Sequence, residues 1–290
     1  MSIYAYRVFI AVVEENSFVK AANIMNMTPS GVSHCINKLE EQYQFKLFAR
    51  ARTGAQLTAD GKRLLPYIRD ILRAEDRFQQ EIDGAKGLEF GSVCIGTFNS
   101  VCIKYIPEII RSLHKIHPSI EINVCQGGYG DTVEWLKSGL ADISFVSMST
   151  TGDLEVEPLF KDRILCVASK SFKPKNEGYV AVGELATSTL VYQHDGCDAD
   201  SNALLSQHGI TVSSRFSVES DQALLALVAS GMGVSLMPEL LLTPAPEEVS
   251  VYPLEPEFYR TIGLAVASER PLSLAAQSVY KHIVELYKTM

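Results

Sequence analysis

The chain has 290 residues, 47% hydrophobic and 21% charged, so it is long enough for two or three cores and too apolar for disorder. Its formal net charge of −8 argues against a uniformly basic surface that coats nucleic acid. Residues 1–90 carry 12 basic and 11 acidic side chains, whereas residues 91–290 carry 14 and 23. Only the first third of the chain therefore has a net charge that allows it to bind a polyanion such as DNA.

Three short helices are predicted at the start of the chain. Apolar residues spaced by three and four predict an amphipathic helix over 2–15. Ser17 is placed to cap a second helix, whose inner alanines leave room for a neighbouring helix. Thr28 and Pro29 then read as the N-cap and first position of a third helix, in which Val32, Ile36 and Leu39 form a buried stripe.

The opposite face of the third helix is polar. It carries Ser30, Ser33, His34, Asn37 and Lys38, whose donors and acceptors suit either solvent or the base edges of the DNA major groove. Two short helices joined by a tight segment at 26–28 favour the second interpretation, because this is the helix-turn-helix arrangement. A hairpin with its turn at Gly54 follows.

Basic side chains on this hairpin suit phosphate or minor-groove contact; they are Arg50 and Arg52. Five stretches in this part of the chain together resemble the winged helix-turn-helix signature of LysR-type transcriptional regulators. They are SFVKAA (17–22), TPSGVSHCI (28–36), LE (39–40), LFAR (47–50) and LTADG (57–61). The resemblance implies an all-α winged helix-turn-helix domain at 1–58, a linker helix at 59–88 and a two-lobed effector-binding domain at 89–290. The expected DNA contacts are Thr28, Pro29, Ser30, Ser33, His34, Asn37, Lys38, Arg50 and Arg52.

The linker is predicted to be one long helix, capped by Thr58 and extending to about Gly84. Its apolar residues repeat at three and four like the seam of a coiled coil, namely Leu64, Ile68, Ile71, Phe78 and Ile82. An apolar stripe on a helix between two domains needs a partner to cover it. We therefore expect a homodimer that presents two helix-turn-helix domains to two half-sites of the DNA operator. The resemblance adds the homotetramer as a further state.

The remainder of the chain is predicted to be α/β. Short apolar strands at 92–96, 120–125 and 142–146 alternate with helices at 103–114 and 131–138, which favours a largely parallel sheet. A second such run begins at Arg163. We expect lobe I at about 89–163 and 267–290 and lobe II at about 164–266, with a hinged cleft between them, as in type 2 periplasmic binding proteins.

Ligands of such clefts bind at strand ends and helix N-termini, which favour an anionic effector. By resemblance, Ser100 and its neighbours are the best effector contacts. The expected set is Thr97, Phe98, Asn99, Ser100, Gln126, Gly128, Ser147, His194 and Met232.

Catalytic and metal signatures are weak. His114 and His117 lack a third ligand nearby, and no phosphate loop, dinucleotide fingerprint or nucleophile elbow is present, so we expect no enzyme activity, metal or cofactor. Cys197 lies roughly where peroxide-sensing members of the family keep a reactive cysteine. Two alternatives stay open: a redox-responsive regulator that acts through Cys197, and a binding protein or enzyme on the same two-lobed fold.

The absence of CxxC pairs and of an export signal predicts a reduced, cytoplasmic protein, and the apolar stretch 223–242 is too interrupted to cross a membrane. The sequence thus predicts a DNA-binding transcriptional regulator. Its expected partners are a double-stranded DNA operator, a small-molecule effector and further copies of itself. Contact with RNA polymerase, and the choice between activation and repression, are left open.

Overall fold

The computed structural model describes residues 2–51, 54–85, 91–193, 199–211, 214–218 and 220–287. Contacts divide the chain into two compact units, residues 1–89 with the short segment 137–140, and residues 90–136 with 141–290. The first unit contains α1 (Ile3–Glu15), α2 (Phe18–Ile24), α3 (Pro29–Tyr43), β1 (Phe48–Ala51), β2 (Gly54–Leu57) and α4 (Ala59–Ala85).

The predicted helix starts are confirmed by their caps. The Ser17 hydroxyl accepts a hydrogen bond from the Lys20 amide, and the Thr28 hydroxyl accepts one from the Gly31 amide at 3.1 Å. These bonds satisfy amides that the first helical turn leaves without an intrahelical partner. The three helices then enclose a core that includes Phe9, Val12, Ala21, Ala22, Val32, Ile36 and Leu39.

One buried carboxylate joins the third helix to the hairpin. Glu40 accepts hydrogen bonds from the amides of Leu47 and Phe48 at 2.8 and 3.2 Å, and its other oxygen pairs with Lys46. A buried carboxylate is stable only when its oxygens are satisfied in this way. The side chain therefore fixes the start of β1 against α3, which positions the β1–β2 hairpin relative to that helix.

α3 ends at a residue in the left-handed conformation. Gln44 has φ 62° and ψ 26°, a region in which a side chain is strained and glycine is not. We therefore expect Gln44→Gly to stabilise the first unit by about 1 kcal/mol. Hydrogen exchange of amides in α3, followed in the full chain by mass spectrometry, measures this change. Glu41→Gly is the matched control, because glycine inside the helix should cost about 1 kcal/mol; equal effects of the two variants would contradict the strain argument.

The long helix α4 distributes its apolar residues differently from the prediction. Ile68 is only 3% exposed and packs in the core of its own first unit, with Leu64 partly buried beside it. Ile71 is exposed, Tyr67 is exposed on the same side, and Phe78 is 67% exposed. The predicted placement of Ile68 in the dimer seam is thus wrong. The exposed stripe runs through Tyr67, Ile71 and Phe78, at helical spacings of four and seven.

The second unit is the predicted α/β body. Its strands are β3 (Gly91–Phe98), β4 (Ile120–Gly127), β5 (Ile143–Ser147), β6 (Glu155–Ser169), β7 (Val180–Ala181), β8 (Leu190–Gln193), β9 (Ser214–Val218), β10 (Ser235–Pro238) and β11 (Val249–Val266). Its α-helices are α5 (Asn99–Lys104), α6 (Ile106–Ile116), α7 (Tyr129–Ser138), α8 (Ala199–Gln207), α9 (Asp221–Ala229) and α10 (Leu274–Tyr287). The helix expected at 103–114 is two helices, because Pro107 lacks an amide proton and starts a new one.

The main sheet has the order β10-β6-β11-β5-β3-β4, and β7 pairs with β11. β3 runs parallel to β4 and β5, but β11 is antiparallel to both β5 and β6, and β6 is antiparallel to β10. The expected parallel pairing is therefore confirmed for β3, β4 and β5, the strands from which it was predicted, but it does not extend to β6, β10 and β11. The chain enters lobe II along β6 and returns along β11, so these two long strands must run in opposite directions.

The return strand also moves the lobe boundary. Residues 262–265 pair with β5, and Ile262 and Leu264 pack in the lobe I core. The structure therefore assigns these residues to lobe I, earlier than the predicted boundary at 266–267. Lobe II has its own core, which includes Ile164, Leu190, Leu204, Leu236 and Leu254.

Candidate functional site

The polar face of α3 is open to solvent. Ser30, His34, Asn37 and Lys38 are exposed and Ser33 is partly exposed, while Val32, Ile36 and Leu39 on the other side are buried. Thr28 and Pro29 are exposed at the N-terminus of the helix. The face therefore presents hydroxyl, imidazole, amide and ammonium groups along a helix held rigidly by its buried side, as groove reading requires.

The two basic residues predicted to contact DNA from the β1–β2 hairpin are only partly within the described residues. Arg50 lies in β1, where its backbone pairs with Ala55. Its side chain and the whole of Arg52 lie outside the described residues. Their role toward DNA stays a prediction.

Polar contacts cross the cleft between the two lobes. Asn99, at the start of α5 in lobe I, donates through Nδ2 to a carboxylate oxygen of Asp221, at the start of α9 in lobe II. The Oδ1 atom of Asn99 accepts from Nε2 of Gln126 at 3.0 Å. Deeper in the cleft, the Ser147 hydroxyl lies 3.0 Å from each carboxylate oxygen of Asp200. The relative position of the lobes is thus held by hydrogen bonds that a ligand can replace.

A buried ion pair connects the two long strands behind the cleft. Nε of Arg260 in β11 donates to Asp162 in β6 at 2.8 Å, and both side chains are buried. The same guanidinium donates to the hydroxyls of Tyr129 and Ser100, the latter at 2.7 Å, and lies over the Phe98 ring. Arg260 therefore links residues at the ends of β3, at the start of α7 and in both long strands.

The charge states follow from burial and these partners. Burial alone would lower the pKa of Arg260, but Tyr129 and Asp162 outweigh it and raise that pKa above its ordinary value, so the guanidinium stays protonated. Burial raises the pKa of Tyr129, which keeps the phenol neutral. Burial likewise raises the pKa of Asp221, against the hydrogen bond from Asn99.

Two connected spaces occupy the cleft. The inner one, against Arg260 and Ser100, has a volume of about 30 Å³, which suits little more than a water molecule. The outer one has a volume of about 590 Å³, within the range of about 300–1,000 Å³ typical of small-molecule sites. The polar residues that line the outer space are Asn99, Gln126, Asp131, Gln193, Ser220, Asp221 and Gln222.

Most of the predicted effector contacts lie at these spaces. Phe98, Asn99 and Ser100 line the inner one, Asn99, Gln126 and Gly128 line the outer one, and Ser147 bonds to the lining residue Asp200. Thr97 is buried with its hydroxyl near the Phe98 carbonyl and lines neither space.

One predicted effector contact, Met232, lines neither space, and one predicted effector contact and the redox candidate cannot be placed. Met232 is 44% exposed beyond the C-terminal end of α9, whereas residues at the N-terminal end of α9 line the outer space, and Met232 lines neither space. His194 and Cys197 lie outside the described residues.

The sequence analysis missed Arg260, Asp162, Tyr129 and Asp221. A signal for the first two was present, since Asp162 lies two residues before the apolar run that begins at Ile164, and Arg260 lies two residues before the run that begins at Ile262. Arginine and aspartate are rarely buried unless they are paired. Their pairing across two strands that lie 98 residues apart in the chain could not be anticipated from local patterns.

The charges of the described lining residues oppose the anionic effector that we expected. α7, α8 and α9 each carry an aspartate in the first turn, respectively Asp131, Asp200 and Asp221. These carboxylates already complement the helix N-termini, and Asp131 accepts from the Gly128 amide at 2.7 Å. The basic residue among the described lining residues, Arg260, is bonded to Asp162.

Within the described ranges, no group of three or more histidine, cysteine, aspartate or glutamate side chains is arranged to hold a metal ion. Nor does any helix in this part of the chain have the length and apolar character needed to span a bilayer.

Family models match both units. Residues 3–62 match the bacterial regulatory helix-turn-helix protein of the lysR family, and residues 86–288 match the LysR substrate binding domain. The HTH-type transcriptional regulator YvbU of Bacillus subtilis (strain 168) is 29% identical over 290 residues, which cover 99% of each chain.

Solved structures show the same fold. A full-length OxyR variant from Pseudomonas aeruginosa matches with a TM-score of 0.75 and 18% identity, covering 99% of this chain and 95% of that one. Full-length CbnR in complex with its target DNA matches with a TM-score of 0.69 and 17% identity, covering 99% and 100%. Because the two family models together span nearly all of the sequence, the chain belongs to the LysR family of bacterial transcriptional regulators.

Proposed function

We propose that this regulator reads its operator with the polar face of α3 and is controlled by a small molecule in the outer cleft. The observation that carries the control is the cleft itself, a space of about 590 Å³ lined from both lobes. A ligand can shift the protein only if it binds one lobe arrangement better than another. A molecule that replaces the Asn99–Asp221 bond does so, because that bond joins the lobes.

The operator side of the proposal assigns different roles to individual contacts. Ser33 and Asn37 would reach base edges, while Thr28 and Ser30 at the helix start and Arg52 in the wing would reach phosphates. Support comes from the exposure of the α3 face and from the likeness to CbnR, which was solved with its target DNA. Two heads in a dimer would contact two half-sites about one helical turn apart.

Asn37→Ala tests the recognition face. We expect it to cost about 1–3 kcal/mol against the preferred duplex while leaving binding to unrelated duplexes unchanged, because base contacts carry the specificity. The duplex is first selected from a random pool with the wild-type protein, and affinities are then measured by fluorescence anisotropy. Gln56→Ala, on the second strand of the wing, is the control. A wild-type preference ratio in Asn37→Ala would remove the assignment of α3.

The effector that fits this cleft is uncharged or cationic. Asp131 and Asp221 are the charged side chains among the described residues that line the outer space. One oxygen of Asp221, Oδ1, is buried without a hydrogen-bond partner, so a ligand N–H or O–H has an acceptor there. An anion would instead be repelled by both carboxylates.

Ligand charge is therefore the test of the cleft. Thermal-shift screening of the full chain against small organic amines, polyols and carboxylates should give stabilising compounds only in the first two classes. Asp221→Asn should weaken an amine found in this way about tenfold or more, since it removes the charge and keeps the shape. Glu247→Gln, a carboxylate outside the cleft lining, is the charge-matched control. Stabilisation by carboxylates alone would contradict the assignment.

The remaining elements of the proposal are a cytoplasmic location and the absence of enzyme activity. The proposed absence of enzyme activity is supported by the hydrogen bonds of Arg260 in the cleft. Its guanidinium is bonded to Asp162 and to the hydroxyls of Tyr129 and Ser100. These contacts hold the lobes and leave no paired acid and base converging on the outer space among the described residues. Contact with RNA polymerase would follow from the family's role in transcription.

A further inference from the structure

Two cysteines lie side by side on neighbouring strands of lobe I. Cys94 in β3 and Cys125 in β4 place their Sγ atoms 3.2 Å apart. Both residues are partly exposed, and they are thiols in this structure. A disulfide has an S–S distance of about 2.05 Å, so only a small approach of the two sulfurs separates this contact from a covalent bond.

The register of the two parallel strands explains the contact. Cys94 lies opposite Asn123, and Cys125 lies opposite Gly96. Glycine has no side chain, so Cys125 can incline along the strand toward Cys94. Asn123 inclines in the same direction, because its Nδ2 donates to the Ser92 hydroxyl at 2.8 Å. The proximity of the sulfurs is therefore a property of how β4 lies on β3, not of one side-chain rotamer.

The position of β4 at the edge of the described sheet allows it to shift if a disulfide forms. It is the last strand in the sheet order, with β3 as its neighbour in the described sheet. Neighbouring strands lie about 4.8 Å apart and rise about 3.3 Å per residue, so the Cα atoms of residues offset by two lie about 8 Å apart, whereas disulfides usually span about 4.4–6.8 Å. Formation of the bond must therefore draw β4 toward or along β3, and an edge strand resists such a shift least.

The shift would reach the cleft directly. Cys125 is followed by Gln126, which donates to Asn99, the residue that joins lobe I to Asp221 of lobe II. Movement of β4 thus changes the position of Gln126 relative to Asn99 at the wall of the outer space. A disulfide between β3 and β4 would therefore act on the proposed effector site through Gln126, the residue that follows Cys125.

We propose that Cys94 and Cys125 form a redox-sensitive dithiol that is oxidised to an intramolecular disulfide by a peroxide. One thiolate attacks a peroxide oxygen, the O–O bond breaks, and the cysteine becomes a sulfenic acid as water leaves. The second thiolate attacks the sulfenic sulfur, the S–S bond forms, and the S–O bond breaks to release a second water. Two thiols and one hydrogen peroxide thus give one disulfide and two waters. Only the effect on the cleft rests on the proposed function; the disulfide itself does not.

Other described cysteines are poorer candidates. Burial raises the pKa of Cys35 and Cys102, and it raises the pKa of Cys166 to about 12. The thiolate is the reactive form, so these side chains react slowly at neutral pH. Cys197 is the competing candidate from the sequence, and the experiment separates the two.

The full-length reduced protein is treated with hydrogen peroxide, alkylated, digested and examined by mass spectrometry. We expect a peptide pair linked through Cys94 and Cys125 that is released by dithiothreitol. The pair should persist in Cys197→Ser and disappear in both Cys94→Ser and Cys125→Ser. Because the bond is read in the wild-type protein, the result does not depend on whether either serine variant folds. Full alkylation of Cys94 and Cys125 after peroxide treatment would overturn the proposal, as would a disulfide from either one to Cys197.

The link to the cleft has its own measurement. In the oxidised wild-type protein, hydrogen exchange of the amides of β4 should change about threefold or more, while exchange in α10 stays the same. Formation of the disulfide with unchanged exchange in β4 would overturn the transmission step and leave the redox site standing. Failure of the operator or effector tests above would have no bearing on the peptide pair, so the two failures are distinguishable.

Discussion

Replacing Arg260 with methionine is expected to destabilise the effector domain by about 3–5 kcal/mol. The substitution leaves Asp162 buried without its cation and removes the donor to the Ser100 hydroxyl. Trp135, the only tryptophan of the chain, lies in α7 of this domain, so its fluorescence follows the urea unfolding of the domain. A loss below about 1 kcal/mol would show that the ion pair is not essential to the hinge.

The double variant Arg260→Met with Asp162→Leu is the matched control. It removes both charges, so most of the stability should return even though the pair is absent. In the single variant, the uncompensated Asp162 has a folded-state pKa above its unfolded value, so its deficit should shrink as pH falls toward that pKa. The double variant lacks this carboxylate and should not show that recovery.

Replacing Phe78 with aspartate should disrupt the dimer and lower operator affinity together. Phe78 is exposed in the chain by itself, and with Tyr67 and Ile71 it forms the stripe that the partner helix would cover. A carboxylate there would be buried without a cation, so the dimer dissociation constant should rise about 100-fold or more. Sedimentation velocity measures the dimer, and the selected duplex measures the affinity.

Ile68→Asp separates this interface from the core of the first unit. Ile68 is already buried in its own chain, so its replacement should unfold the helix-turn-helix core rather than yield a folded monomer. Circular dichroism of the two variants distinguishes these outcomes. A Phe78→Asp protein that sediments as the wild-type dimer would show that the exposed stripe of α4 is not the dimer interface.

Local sequence patterns were sufficient to predict a residue's structural role wherever that role depends only on the helix that contains the residue. The caps at Ser17, Thr28 and Thr58 and the division of α3 into buried and polar faces follow from spacings of three and four residues. The motifs between residues 17 and 61 identified the helix-turn-helix protein family, and the resemblance to that family supplied the expectation of a two-lobed α/β body.

The sequence by itself therefore determined the first three helices, the polar and buried faces of α3 and the α/β class of the body. The tertiary structure decided which residue of the predicted dimer seam is buried in the core of its own unit. It also decided that β6 and β11 run antiparallel and which charged side chains form ion pairs. Ile68 belongs to the same core as Phe9, which lies 59 residues earlier, while Arg260 and Cys125 contact Asp162 and Cys94, which lie 98 and 31 residues away. Such contacts depend on how folded elements pack against one another, and periodicity carries information only about neighbours along one helix or strand.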